Sequence, residues 1–189
     1  MSGRLFVVAG PSGVGKGTLI ARALREVPGL EVATSATTRP RRSDECDGRE
    51  YHFLSPEEFA RRVDEGAFLE HVSYAGHRYG TLRSEVEQRL GDGGSVVLEI
   101  EVAGAREIRR RLPDAVLVFV APPTMDDLAE RLRRRQQNTE TEVADRLRIA
   151  AGELEAQSEF DHVIVNDDVD RAAAELAGLM RSTMTEEPE

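Results

Sequence analysis

The sequence predicts an α/β domain in which a parallel sheet is covered by helices on both faces, with a mixed α/β lobe inserted. Three observations carry this prediction. Short, almost purely apolar runs at Leu5–Ala9, Val96–Leu98, Ala115–Val120 and His162–Val165 read as strands, the first two of them buried. Segments with helical spacing lie between them, and strands alternating with helices specify a parallel sheet. From Ser35 to Thr81 the texture turns polar, with aromatics and broken strand-like pieces, which marks an insertion.

Each element has its own signal. Leu5–Ala9 is bounded by Gly10-Pro11. From Lys16 to Val27, Leu19, Ile20, Ala23, Leu24 and Val27 share a helical face, and Pro28-Gly29 stops the helix. Ser55-Pro56-Glu57-Glu58 reads as a capping box with proline at the first helical position, opening a helix that ends near Gly66. Gly91-Asp92-Gly93-Gly94 is a loop before the strand at Val96. Val102, Ala105, Ile108 and Leu112 line the next helix, which Pro113 ends. After the strand at Ala115 comes an arginine-rich helix capped by Thr124. A charged break from Gln136 to Thr141 leads to a helix through Leu147, Ala151 and Leu154. Strand His162–Val165 and a helix from Asp168 to Met184 follow, and Thr185–Glu189 is a polar tail.

Composition narrows the class. With 40% hydrophobic and 32% charged residues the chain can build a core and remain water-soluble, and its longest apolar stretch, Ala115 to Pro123, cannot span a bilayer. Leu5–Val8 already reads as a strand, so no leader is expected. Cys46 is the only cysteine, which excludes an internal disulfide framework and suits a reducing compartment. A cytoplasmic protein with no membrane partner is expected. The net charge of −10 disfavours nucleic acid as a partner, because such binding rests on positive surface. No feature specifies an oligomeric state. Of 25 basic residues, Lys16 is the only lysine, which singles out that position as one needing an ammonium group.

Lys16 closes the run Gly10-Pro11-Ser12-Gly13-Val14-Gly15-Lys16, with Walker A spacing and the strand-to-helix context that motif requires. Its glycines let backbone N–H groups turn inward around phosphate oxygens at a helix N-terminus, and the lysine reaches the β and γ oxygens. Gly10 through Thr18 are therefore candidate ATP-binding residues. The residue after the lysine is Gly17, not the usual Ser or Thr, and Thr18 follows. Mg²⁺ is accordingly expected to arrive with ATP and ordered waters rather than in a metal site of the protein.

The segment Ser35-Ala36-Thr37-Thr38-Arg39-Pro40-Arg41-Arg42, followed by Glu45, Gly48 and Tyr51-His52-Phe53, resembles the signature of guanylate kinases. The resemblance continues through Phe68-Leu69-Glu70, Tyr79-Gly80-Thr81, Leu98 to Gly104, Arg131 to Arg146 and Val165 to Asp168. It implies a P-loop kinase core at residues 1–34, 82–130 and 147–189, a monophosphate-binding lobe at 35–81, and a lid at 131–146. It also implies transfer of the γ-phosphoryl group of ATP to GMP in purine nucleotide metabolism. By the same resemblance, Arg39, Arg42, Tyr51 and Tyr79 hold the GMP phosphate, and Ser35, Glu70, Thr81 and Glu101 face the guanine. Arg131, Arg135 and Arg146 approach the transferring phosphates, so that with Lys16 and Arg39 they form the catalytic set; Asn166 lies on the ATP side.

The residue chemistry agrees with these roles. Two guanidiniums and two phenols make a fork of donors for a phosphate dianion. Arg131 and Arg135 are four apart and share a helical face. Some positions depart from the family pattern. Arg41 stands where proline is usual, Ser43-Asp44 where Pro-Gly is common, Glu99 and Glu101 where the family commonly has aspartates, and Gln136 where glycine is frequent. His52, His71, His77 and His162 lack metal-ligand spacing. An adenylate kinase would share the Lys-Gly-Thr loop but not the Thr-Thr-Arg segment, and a ribosyl bisphosphate kinase would lack much of the guanine set. A catalytically silent peptide-binding module of this kind typically loses the loop lysine, which is kept here.

Overall fold

In the computed structural model, which describes residues 3–74, 76–134 and 139–185, the chain begins with β1 (Leu5–Ala9), α1 (Lys16–Glu26) and β2 (Leu30–Val32). It then passes through β3 (Ala36–Thr37), β4 (His52–Phe53), α2 (Pro56–Asp64), β5 (Phe68–Tyr74) and β6 (His77–Leu82). Next come α3 (Arg83–Gly91), β7 (Ser95–Glu99), α4 (Val102–Arg111) and β8 (Val116–Ala121). The last elements are α5 (Met125–Arg134), α6 (Glu140–Glu155), β9 (His162–Val165) and α7 (Val169–Thr185).

The core sheet has five strands in the order β2-β7-β1-β8-β9, and every pairing in it is parallel. Period-two alternation divides β1 between two cores. Phe6 and Val8 pack with Leu19 and Ile20 of α1 and with Leu176 and Met180 of α7. Leu5, Val7 and Ala9 pack with Val86 of α3 and Ile108 of α4. Burial on both faces explains why β1 carries no polar residue. After β1 the chain goes first to β2 at one edge, comes back inward through β7 beside β1, and then crosses to build β8 and β9 on the other side. That reversal opens a crevice beyond the carboxyl end of β1, where a doubly wound sheet binds ligands.

The insertion carries its own mixed sheet, ordered β4-β3-β6-β5. Its small core is Ala36, Phe59, Phe68 and Leu82, with Phe59 and Phe68 stacked at 4.4 Å between ring centroids. No helix among the described residues is long and apolar enough to cross a membrane.

Several local expectations change. β2 and α3 escape the sequence reading because β2 is three residues long and α3 buries only Val86, leaving no apolar period to detect. The loop predicted from Gly91 begins one residue later, since α3 includes Gly91. Ser55 caps α2 by accepting from the Glu58 N–H at 3.1 Å. Glu58's carboxylate, however, receives Arg61 and Arg62, so the predicted box is half formed. The complete capping box is Thr139 with Glu142, at the start of α6. Val143 and Ala150 anchor α6, whereas Ala151 is exposed. Within the expected lid, residues 131–134 end α5, and residues 140–146 begin α6 after the Thr139 cap.

Candidate active site

The P-loop is shaped by backbone that side chains would obstruct. Gly10 and Gly15 have φ of 139° and 105°, and a Cβ on them would come 2.2 Å from the Val120 carbonyl oxygen and 2.6 Å from Asn166 Nδ2. Glycine is the residue that fits both demands. Lys16 begins α1 beneath this loop, 7% exposed, and its ammonium donates to the Gly10 and Pro11 carbonyls at 2.6 and 3.3 Å. A lysine held by two carbonyls at the rim of an anion nest is a charge ready to turn toward phosphate oxygens.

A cleft of 760 Å³ runs from this loop to the inserted lobe. Of the sequence-predicted residues, Ser12, Gly13, Gly15, Lys16, Gly17, Thr18, Ser35, Arg39, Arg42, Tyr51, Glu70, Tyr79, Glu101 and Arg146 line it. Gly10, Pro11 and Val14 are buried and lie behind the loop surface. On the lobe side, Arg39 donates to both carboxylate oxygens of Glu45, at 3.1 and 2.6 Å, and its guanidinium lies 5.4 Å from the Tyr51 ring centroid. Tyr51 and Tyr79 meet edge to face at 6.0 Å. Burial pushes the Tyr51 phenol up to about 12, so it stays protonated and available as a donor.

Both Arg41 and Arg42 are exposed, but Arg42 lines the cleft, whereas Arg41 does not and donates to the Glu45 carbonyl at 2.5 Å. This separates two adjacent arginines that spacing alone left close.

Glu70 stands deeper, 2% exposed. Burial drives its carboxyl up to about 7; the Thr81 hydroxyl, which donates to Oε1 at 2.8 Å, opposes the rise, and negative Glu101 and Glu107 add to it. Thr81 is fully buried and does not line the cleft, so it acts through Glu70 rather than on a ligand.

Two expected ATP-side residues sit behind the loop. Arg131 donates to the carbonyls of Val14 and Asn166 at 3.1 and 2.8 Å, bracing the loop instead of lining the cleft. α5 runs past the back of the P-loop, with Leu132 against Gly13, and this directs Arg131 there. Asn166 is buried and donates to the Val14 carbonyl at 2.7 Å, while its Oδ1 has no hydrogen-bond partner among the described residues. Arg135 lies outside the described residues. Arg146 on α6 reaches Ser12 Oγ at 3.4 Å.

Other cleft residues went unassigned in the sequence. Glu45 sits inside the signature segment, but its pairing with Arg39 needs the loop to fold back on itself. Tyr74 faces Ser12 and Arg146, its phenol made less acidic chiefly by burial. Glu153, about two turns along α6 from Arg146 and outside the cleft lining, has a carboxyl raised chiefly by burial, an effect that Lys16 opposes and Glu101 reinforces. Glu99 pairs with Val8 in register and stands over Gly17, at whose position a Cβ would come 3.0 Å from Oε2. Among the described residues no three of His, Cys, Asp and Glu converge on one metal position. Thr18, Glu99 and Glu101 all line the cleft and supply hard oxygen donors, the kind a magnesium ion with its waters takes.

Comparison with known proteins covers almost the whole chain. The sequence profile of the family described as guanylate kinase matches residues 2–183. A guanylate kinase of Frankia casuarinae is 52% identical over 93% of this chain and 96% of its own length. One from Rubrobacter xylanophilus is 50% identical over 95% of this chain and 94% of its own. The crystal structure of guanylate kinase from Anaplasma phagocytophilum superposes with a TM-score of 0.82 at 28% identity, covering 98% of this chain and 88% of that one. A shikimate kinase from Bacteroides thetaiotaomicron, at 18% identity and a TM-score of 0.51 over 96% of this chain and 99% of that one, shares the fold alone.

Proposed function

The chain belongs to the guanylate kinase family, and on that premise we propose that the cleft between P-loop and lobe is where its two nucleotides meet. The enzyme transfers the γ-phosphoryl group of ATP to GMP, giving ADP and GDP. The observation that carries the site assignment is that Lys16, Arg39, Arg42, Tyr51, Tyr79 and Glu70 line one cleft.

Arg39, Arg42, Tyr51 and Tyr79 take the GMP phosphate. Glu45 holds the Arg39 fork in place, so little rotamer freedom is lost when phosphate arrives. Ser35, Glu70 and Glu101 face the base, with Thr81 orienting Glu70. The triphosphate lies on the P-loop from Gly10 to Thr18, which Arg131 and Asn166 brace from behind; Arg131 reaches phosphate only by releasing its two carbonyls. Arg146, Lys16 and Arg135 supply positive charge from the lid side and the loop. This divides the chain into a core at 1–34, 82–130 and 147–189, a lobe at 35–81 and a lid at 131–146.

A phosphate oxygen of GMP is already anionic at neutral pH, so no general base is needed. That oxygen attacks the γ phosphorus as the bond to the bridging β,γ oxygen breaks, and ADP leaves with the electron pair. The protein's part is in-line positioning and neutralisation of the spreading charge, from Lys16 and the arginines. Thr18 and Glu99 are the oxygen groups that would hold magnesium brought with ATP, or its waters, and it would neutralise phosphate charge there. ADP release measured with AMP, GMP, CMP and UMP as acceptors tests the assignment. GMP should be used strongly and the other three weakly; equal use of AMP would remove the base-reading role of Glu70.

A further inference from the structure

Helix α4 begins after Glu101 and carries a buried glycine, Gly104, in its first turn. Nothing local calls for glycine there. Its φ is not among the positive ones, and inside a helix alanine is favoured over glycine by about 1 kcal/mol. The reason lies across the boundary between core and lobe. A Cβ on Gly104 would come 2.6 Å from Glu70 Oε2, 3.2 Å from its carboxyl carbon and 3.3 Å from Cδ1 of Ile100.

The Glu70 side chain has little room to withdraw. Its Oε1 is tied to the Thr81 hydroxyl, and Glu70 and Thr81 are paired across β5 and β6. A register irregularity between Phe68 and Glu70 sets the direction in which the side chain leaves the strand. On the other side of that pairing, a Cβ at Gly80 would come 2.7 Å from the Glu70 carbonyl oxygen, so backbone packs closely there as well. The carboxylate is thus held between Thr81 and the bare backbone of α4.

We propose that Gly104 is a positioning residue for guanine recognition: the space left by its missing side chain is the space the Glu70 carboxylate occupies. The proposal rests on Glu70 as the reader of the base. Guanine presents adjacent N–H donors, and two carboxylate oxygens accept both only in one orientation. A methyl group at 104 turns or displaces Oε2, so base reading fails while the phosphate fork and the P-loop stay intact. The core helix α4 therefore takes part in specificity through an absence, and the lobe cannot read guanine independently of the core.

The test is a double-mutant cycle of Gly104→Ala and Glu70→Ala, with kinetics on GMP and AMP and thermal unfolding of all four proteins. Gly104→Ala should raise the KM for GMP on the order of 10- to 100-fold and shrink the GMP preference to match, with kcat and the KM for ATP changed less than about 2-fold. On the Glu70→Ala background the same change should alter GMP efficiency less than about 2-fold. Its effect on the melting point should also reverse, lowering it in the wild type and raising it where the carboxylate is gone. A folded Gly104→Ala protein with normal GMP kinetics overturns the proposal, as does an equal loss on both backgrounds. Should Gly104→Ala fail to fold, the double variant must fold, since the clash is removed; two unfolded proteins also overturn it. If Glu70→Ala alone keeps the GMP preference, the base-reading assignment itself fails. If Glu70→Ala loses the preference and Gly104→Ala keeps it, only the positioning role fails.

Discussion

Replacing Glu70 by glutamine should make the ligand-free enzyme more stable at neutral and alkaline pH while removing most of its GMP efficiency. Burial raises the Glu70 carboxyl from 4.5 to about 7 in the folded protein. Between those values the folded chain keeps a proton that the unfolded chain has released, so stability falls as pH rises through that window. A rise of that size corresponds to about 3 kcal/mol, fully expressed above pH 7 and absent below pH 4.5. Glutamine has nothing to ionise there, and its Oε1 can still accept the Thr81 hydroxyl that Glu70 accepts at 2.8 Å. Urea unfolding of both proteins at pH 5, 6, 7 and 8 isolates the effect, because titrating groups that do not interact with Glu70 cancel in the difference, leaving its own ionisation and its coupling to Glu101 and Glu107. The variant should gain on the wild type progressively, reaching about 3 kcal/mol, or about 6–12 °C in Tm for a chain of this size. Saturating GMP should reverse the order, since the ligand binds the ionised carboxylate and the variant cannot supply it. Parallel pH–stability curves for the two proteins would refute the argument, and with it the picture of a buried carboxylate kept short of charge until guanine arrives.

The same titration should appear in catalysis: the KM for GMP should fall between pH 6 and 8 in the wild type, and more shallowly in Glu70→Gln, as initial rates would show. Lys16→Met should leave the fold intact and lower kcat far more than it raises the KM for GMP, because the ammonium acts on charge that builds during transfer; a folded variant with near-normal kcat would contradict this. Arg39→Ala and Arg42→Ala should each weaken GMP binding by about 1.5–3 kcal/mol, measured by calorimetry, while Arg41→Ala, whose guanidinium is spent on a backbone carbonyl, should change it little. Phe59→Ala should destabilise the small lobe core by about 3–5 kcal/mol; hydrogen exchange should then rise in β3 to β6 while the core sheet keeps its protection.

Much of this protein was determined by the sequence alone, wherever a property depends on neighbours in the chain. The apolar runs declare the strands of the core except the short β2: β1, β7 and β8 because a strand buried on both faces can carry almost nothing else, and the edge strand β9, where Ile164 alone is buried, because its residues are β-formers. The glycine spacing and the sole lysine declare the phosphate loop, because backbone that turns its N–H groups inward has few sequences open to it. The polar stretch from Ser35 to Thr81 declares an insertion. Tertiary structure decided what depends on residues far apart. α3 exists because one valine, Val86, finds a core to enter, not because its sequence insists on a helix. Arg131 braces the P-loop because α5 passes behind it, although the family resemblance implied that it approaches the phosphates. Glu45 holds Arg39 only once the signature loop has folded back. Most of all, the carboxyl of Glu70 owes its pKa, its fixed orientation and its dependence on Gly104 to the packing of a lobe strand against a core helix more than thirty residues away. Desolvation and steric exclusion are properties of a filled volume, and a sequence does not state which of its parts will fill it.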